Sequence, residues 1–386
     1  MEATHSVAAH ELKSAHAPRL LSLDVFRGIT VAAMILVNNP GDWGHVYAPL
    51  LHAHWHGWTP TDLIFPFFLF IVGVSISFAL ANRKSDPSLI GKIIKRSLIL
   101  FSLGLFLSLF PKFNFATVRI PGVLQRIALV YLVSALLFRV TTVRQQAILI
   151  AILLIGYWLL LTIVPVPDFP YPNLEPETNL GAWLDRTLLG GHLWKTSKIW
   201  DPEGILSTLP AIATGLSGIL AGTLLRSNQS AAEKIAWLFT AGCLSLIGAY
   251  IWNLTFPINK SLWTSSFVLL TSGLGAQGLA LCYWLIDVQA ANRPNYQRWF
   301  TVFVAFGANA ITVFFLSGLI PRLLNMIKVT QPDGAETGAK EWMYKTFFVP
   351  YFESPYNASL AGALAFILIW TGILYWMYQK KIIIKV

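Results

Sequence analysis

The sequence predicts an all-α protein, a polytopic membrane helix bundle of about ten transmembrane helices with both termini in the cytoplasm. Three observations carry that expectation. Of 386 residues, 55% are hydrophobic and only 12% charged, about half the charged share of an ordinary soluble domain. Apolar stretches of roughly 20 residues, enough for a helix to cross a ~30 Å hydrocarbon core, recur along the chain. Lys and Arg concentrate in alternate loops between those stretches, as they do in loops that face the cytoplasm.

The spans fall near 21–39, 60–82, 93–110, 121–140, 146–164, 205–225, 234–253, 263–286, 299–320 and 359–379, each bounded by polar or Pro/Gly-rich breaks. Ahead of the first, MEATHSVAAHELKSAHAPRL has neither the apolar core nor the small-residue cleavage pattern of a signal peptide. Residues 1–20 therefore read as a polar cytoplasmic tail. The second span, LIFPFFLFIVG, follows the polar run LLHAHWHGWTPTD. The basic loops hold Arg83, Lys84, Lys92, Lys95 and Arg96, then Arg139 and Arg144, then Arg226 and Lys234, then Arg293 and Arg298, and at the end Lys380, Lys381 and Lys385. The intervening loops, 40–59, 111–120, 165–204, 254–262 and 321–358, belong on the outer side. With no low-complexity linker and no internal repeat, residues 21–386 read as a single transmembrane domain.

Composition also narrows function. The net charge of +10 is dispersed among loops beside the spans, where it acts as an orientation signal in the lipid bilayer, so nucleic acid is not an expected partner. Cys243 and Cys282 both fall inside apolar segments without ligand-like neighbours and read as core thiols.

Ionisable residues inside a span cost several kcal/mol unless paired or solvated, so they mark polar cavities or partners. Asp24 and Arg27 lie three apart on one face of the first helix and are spaced to pair. Arg126, with Gln125 beside it and Arg119 at the mouth, lies within the fourth span; guanidiniums there suit either phosphates or a carboxylate partner such as Asp24 or Asp62. In WDPEG, Asp201, Pro202 and Glu203 make a well-formed helix start for the sixth span. Glu203 also stands where an acid can orient a base or bind an amine. Gly218 and Gly222 have the spacing of a helix-packing motif.

His52, His54 and His56 sit between Trp55, Trp58 and Asp62 in an outer loop. Imidazoles at such a position serve as bases near neutral pH or as ordinary interfacial residues. An extended segment would bring the three together around zinc, but no cysteine and no second ligand cluster supports it, and no metal is expected. A transporter, with Asp24, Arg27, Arg126 and the histidines as a proton or solute path, is the alternative reading of the buried charges.

Taken in order, RLLSLDVFRG, VNNPG, HAHWHGWTPTDLIFPFFLFIVG, VRIPGVLQR, DPEG and NKSLWTSSF resemble the membrane region of the heparan-α-glucosaminide N-acetyltransferase family and its bacterial relatives. The family's large luminal N-terminal region and first span have no counterpart ahead of RLLSLDVFRG. The resemblance implies a transmembrane acyltransferase of a bacterial inner membrane that moves acetyl from cytosolic acetyl-CoA to the amine of a glucosamine-type amino sugar or glycan on the outer side, and it implies a homodimer. It places the catalytic histidine on His52, with His54 and His56 at the family's serine and asparagine positions.

Acetyl transfer needs a base or nucleophile, donors for the developing oxyanion and a thioester brought close to the amine. His52 fills the first role, directly or through an acetyl-histidine. Asn38 and Asn39 are candidate oxyanion or orienting donors, or else a helix end and turn. Asp62 or Glu203 is placed to fix the imidazole tautomer. Arg119, Gln125 and Arg126 are the expected acetyl-CoA contacts. Trp55, Lys260 and Trp263 are the expected sugar contacts, with interfacial anchoring the competing role for Lys260 and Trp263.

Overall fold

The computed structural model describes residues 20–167, 169–290, 298–331 and 334–384. Apart from Leu20, the polar tail lies outside them, as do Arg293 and Lys385. Helices stand on the apolar runs: α1 Leu21–Asn38, α2 Pro60–Leu80, α3 Leu89–Leu109, α4 Val123–Val140, α5 Val143–Ile163, α7 Thr208–Leu225, α8 Ala231–Asn253, α9 Ser265–Cys282 and α13 Pro355–Gln379. A wider helical turn carries α9 on to Gln289. Eight of these are long and apolar enough to cross a membrane. The remaining one, α3, carries Lys92, Lys95 and Arg96 in its first two turns, residues that the sequence places in a loop.

The expected span at 299–320 is broken. Two helices, α10 Thr301–Ala308 and α11 Ala310–Met326, meet at an angle of 70°. The cause is Asn309, whose backbone is non-helical (φ −117°, ψ 29°). Its side chain is committed elsewhere: Nδ2 donates to the carbonyl of Ile382 (3.1 Å) and Oδ1 accepts from the N–H of Ile384 (2.9 Å), so the break carries the chain's C-terminal segment.

The loops between the long helices add small elements of their own. A short helix, α6 Leu180–Leu189, lies between α5 and α7. An antiparallel pair, β1 Lys328–Thr330 with β2 Glu336–Gly338, leads into α12 Ala339–Phe347.

Small residues set the central packing. A Cβ on Gly73 would stand 1.9 Å from the Gly215 carbonyl oxygen, and one on Gly218 would stand 2.0 Å from that of Phe70. Backbone therefore meets backbone where α2 crosses α7, which is the packing that GxxxG spacing announces. Cys282 is buried as expected, whereas Cys243 is exposed, and both are free thiols.

Alternate loops segregate to opposite ends of the bundle. At one end the 40–59 loop bonds to the 165–204 and 254–262 loops, and Arg119 reaches Asp201. At the other, Arg139 Nε donates to the Lys84 carbonyl (2.8 Å), and the Asp287 carboxylate takes the N–H groups of Leu21 and Ser22.

Candidate active site

The start of α2 builds the site. Asp62 lies in its first turn and is 1% exposed, a position that a carboxylate tolerates only with its oxygens satisfied. Oδ2 accepts from the N–H of Thr59 (2.9 Å) and of Ala53 (3.0 Å), which folds the preceding loop over the helix end. Oδ1 is left facing His52, with Nδ1 at 2.7 Å. Because Oδ1 is an acceptor, Nδ1 carries the proton in this pair and Nε2 keeps its lone pair. The His52 side chain is 52% exposed, so the ring is open to an arriving molecule.

A second loop closes on the first. Gly57 sits at φ +94°, a conformation glycine adopts without a Cβ penalty, and its N–H donates to the Ile258 carbonyl (2.8 Å). The loop beyond is a self-bonded turn: Asn259 Oδ1 accepts from Leu262, Asn259 N–H donates to Thr264 Oγ1, and Trp263 N–H donates to the Lys260 carbonyl. This turn delivers Lys260 Nζ to 2.8 Å from His52 Nδ1, 3.1 Å from Nε2 and 3.5 Å from Asp62 Oδ1. Burial pushes the Lys260 amine below the ordinary lysine pKa, with Asp62 pulling it back up.

The other two histidines stand apart from this group. His56 Nδ1 faces Asn259 Nδ2 at 3.4 Å, and His54 is exposed. Among the described residues no trio of His, Cys, Asp or Glu is grouped as a metal ion requires.

The structure divides the remaining sequence candidates. Asn38, at the last position of α1, is exposed, whereas Asn39 is buried and donates back to the Ile35 carbonyl (3.0 Å). Trp55 is partly exposed and fixed at its far end, Nε1 donating to the Leu174 carbonyl (2.9 Å) and the ring edge-on to Trp200 at 5.2 Å. Trp263 is 1% exposed. It packs in the core against Phe65 and Phe267 with Nε1 donating to Thr214 Oγ1, so it meets neither solvent nor bilayer surface.

Arg119 and Arg126 both spend their guanidiniums on the WDPEG loop. Arg119 clasps Asp201 through Nε (2.8 Å) and Nη2 (2.5 Å) and also bonds Glu203. Arg126, fully buried, donates to the Pro202 carbonyl (3.0 Å), the Gly204 carbonyl (2.9 Å) and Ser207, and lies over the Trp263 ring. Gln125, also buried, abuts Gly104 and Gly122. This clasp holds Asp201 and Glu203 in a loop, so α7 starts at Thr208 instead of behind Asp201.

Sequence reasoning missed a cavity of about 350 Å³ at the other end of α2, lined by Arg27, Ser75, Arg96, Tyr131 and apolar side chains of α2, α3, α4 and α11. Arg27 pairs with Asp24 at 3.2 Å, as its spacing suggested, and donates to Ser75 Oγ (2.7 Å). Arg96 lies over the Tyr131 ring at 4.9 Å. Thirteen residues of helix separate Asp62 from Ser75, about 20 Å.

The sequence profile of the heparan-alpha-glucosaminide N-acetyltransferase catalytic region matches residues 19–250. The chain belongs to the heparan-alpha-glucosaminide N-acetyltransferase family. The enzyme of that name from Homo sapiens is 33% identical over 337 residues, covering 72% of this chain and 50% of its own length. That from Mus musculus is 31% identical over 338 residues, covering 72% and 51%. This family member thus spans about half the length of the curated relatives it matches. His52, Asp62, the WDPEG clasp, Arg27 and Arg96 all lie within the profile match, and Lys260 lies beyond it. Lys260 was legible as a loop residue suited to contact sugar or to anchor at the interface; its place beside His52 depends on two loops 208 positions apart in sequence coming together.

Proposed function

We propose that the chain is a transmembrane N-acetyltransferase that transfers acetyl from acetyl-CoA on the cytoplasmic side to the amine of a glucosamine-type acceptor on the outer side. The observation that carries this reading is the exposed His52 imidazole, its Nδ1 held by a buried carboxylate, in a chain of this family. A ring fixed in that way presents one lone pair, at Nε2, in one direction.

The amine nitrogen attacks the thioester carbonyl carbon as Nε2 takes its proton; the C–S bond breaks, and the proton passes from the imidazolium to the departing sulfur. In the two-step variant the same lone pair attacks the carbonyl first, the C–S bond breaks to release the thiolate, and the amine then takes the acetyl group from the ring and yields its proton, through the freed Nε2, to the sulfur. Asp62 holds the ring and offsets the imidazolium charge in both. Asn38 stands free at the outer end of α1 to orient the acceptor, and Trp55 offers a braced aromatic face for a sugar ring.

The Arg27–Arg96 cavity suits the donor better than Arg119 and Arg126 do. Two guanidiniums in the lining of a cavity whose other walls are mostly apolar match a molecule with phosphates at one end and a long, weakly polar arm. From there the arm has about 20 Å of α2 to cover before its thioester reaches His52. The positive loops around this end support a cytoplasmic side for it.

Purified protein in liposomes, given radiolabelled acetyl-CoA and glucosamine, should form labelled N-acetylglucosamine, and His52→Ala should abolish it. Absence of transfer by folded wild-type protein to glucosamine or any glucosamine-terminated glycan would overturn the reading.

A further inference from the structure

We propose that Lys260 is a catalytic residue of this site, its ammonium donating hydrogen bonds to the acetyl oxygen as negative charge develops on it. The inference rests on the acyl-transfer reading and extends it to the group that stabilises the transition state.

Position is the first argument. In the two-step route the acetyl carbonyl carbon comes to the lone pair of His52 Nε2, and in the direct route the amine that yields its proton to Nε2 stands between them, so in both the carbonyl oxygen arrives on the same side of the ring, a few ångströms from that nitrogen. Lys260 Nζ is 3.1 Å from Nε2. It therefore occupies the shell in which an oxyanion donor must stand, a hydrogen bond away from where the oxygen arrives.

Donor capacity is the second. An ammonium has three N–H groups and no acceptor. The imidazole Nδ1 is already committed to Asp62 at 2.7 Å, so it does not consume a lysine proton. Nζ lies 3.5 Å from Asp62 Oδ1 and 3.1 Å from Nε2, and Glu203 also acts on its charge. Asp62 and the ring orient the amine, and with three N–H groups it keeps a donor for substrate.

Rigidity and environment are the third. The turn 259–264 is tied by its own hydrogen bonds, and the lysine side chain is only 18% exposed, so the charge is fixed before substrate arrives. A preorganised donor in a site of low dielectric does more than one that water must first release. Burial, which lowers the amine's pKa, also makes its N–H groups stronger donors. Arg119 and Arg126 are otherwise engaged, Arg119 on Asp201 and Glu203 and Arg126 on backbone carbonyls.

The step balances without a further reactant. The bond to the acetyl carbon forms, the carbonyl electron pair moves on to oxygen under the Lys260 N–H groups, and it returns as the C–S bond breaks. Lys260 gains and loses no proton.

Three variants test this against wild type, each checked for folding by thermal melting. Lys260→Met should lower kcat by 10²–10³-fold while the KM for acetyl-CoA changes less than threefold. Lys260→Cys should be equally slow and should recover at least tenfold when alkylated with 2-bromoethylamine, which rebuilds a cation of nearly the same length; Cys243, the exposed native thiol, is replaced by Ala in all proteins. His52→Ala should remain inactive with or without the reagent. A folded Lys260→Met enzyme within threefold of wild-type kcat overturns the assignment, as does a defect confined to the acceptor KM or one that aminoethylation leaves unrepaired. Failure of wild type itself to transfer would instead count against the acetyltransferase reading.

Discussion

His52 Nδ1 and Asp62 Oδ1 face each other across 2.7 Å, although one residue belongs to an exposed loop and the other is buried in the first turn of a helix. Nothing in the loop alone would hold the imidazole. The carboxylate does so because its second oxygen is locked by the Thr59 and Ala53 N–H groups. Helix capping and active-site positioning are thus one structure.

Asp62→Asn is therefore expected to keep much of the cap but to lose the tautomer, since an amide that turns its NH2 towards Nδ1 would place the proton on Nε2. Transfer should fall by about 10³–10⁴-fold, the scale seen when the carboxylate of a comparable pair is amidated, with a melting temperature within a few degrees of wild type. Steady-state kinetics beside a melt would decide; loss of less than tenfold would mean that Asp62 serves the helix only.

Arg126 and Arg96 are expected to behave oppositely. Arg126→Met strands the Pro202 and Gly204 carbonyls in the interior, at about 1–3 kcal/mol for each unmade bond, so it should melt several degrees early. Arg96 is exposed and stacks on Tyr131. Arg96→Ala should fold normally and raise the acetyl-CoA KM at least tenfold. A stable Arg126 variant with weakened donor affinity would restore the sequence-based assignment of the phosphates.

The spans and their order were legible because hydrophobic length is a local property. His52 was legible as a candidate through motif resemblance, Asp62 as one of two carboxylates able to orient it, and the Asp24–Arg27 pair through helical spacing. What the sequence hid was long-range. Arg119 and Arg126 looked available for phosphate because their partners lie 76 to 84 positions away on the WDPEG loop. That loop looked like a helix start, since Asp, Pro and Glu at those positions favour one locally, until two arginines claimed its carboxylates and carbonyls. Trp263 read as an interfacial anchor because a Trp beside a Lys usually is one; only the fold puts it in the core.

Glycine substitutions should separate packing from propensity. Gly218→Ala would drive a methyl to 2.0 Å from the Phe70 carbonyl oxygen, with backbone on both sides, so α2 and α7 must part. The expected result is failure to fold or a loss of several kcal/mol. At Gly156 in α5 an added methyl would meet nothing within 4 Å, and Gly156→Ala should be neutral or stabilising by up to about 1 kcal/mol. Comparable melting of both variants would show that α2 and α7 pack loosely enough to admit a methyl between them.

Asp185 gives a test by pH. In α6, outside the spans, it is 3% exposed, and burial raises its carboxyl to about 6 from 3.8, aided by the charge of Asp201 and opposed by the Ile205 N–H and Arg126. The fold thus prefers the neutral acid. Stability from that preference is complete below pH 3.8 and is lost as pH rises through about 6. Near pH 7.5 the ionised side chain costs about 3 kcal/mol, at 1.36 kcal/mol per unit. Asp185→Asn retains an oxygen for the Ile205 N–H, which now donates to Oδ1 at 2.9 Å, and it carries no charge to bury. Its melting temperature should exceed that of wild type at pH 7.5, and the gap should narrow through pH 6 and close near pH 4. A gap that is constant with pH, or a variant less stable at pH 7.5, would show that the folded protein holds Asp185 as a carboxylate.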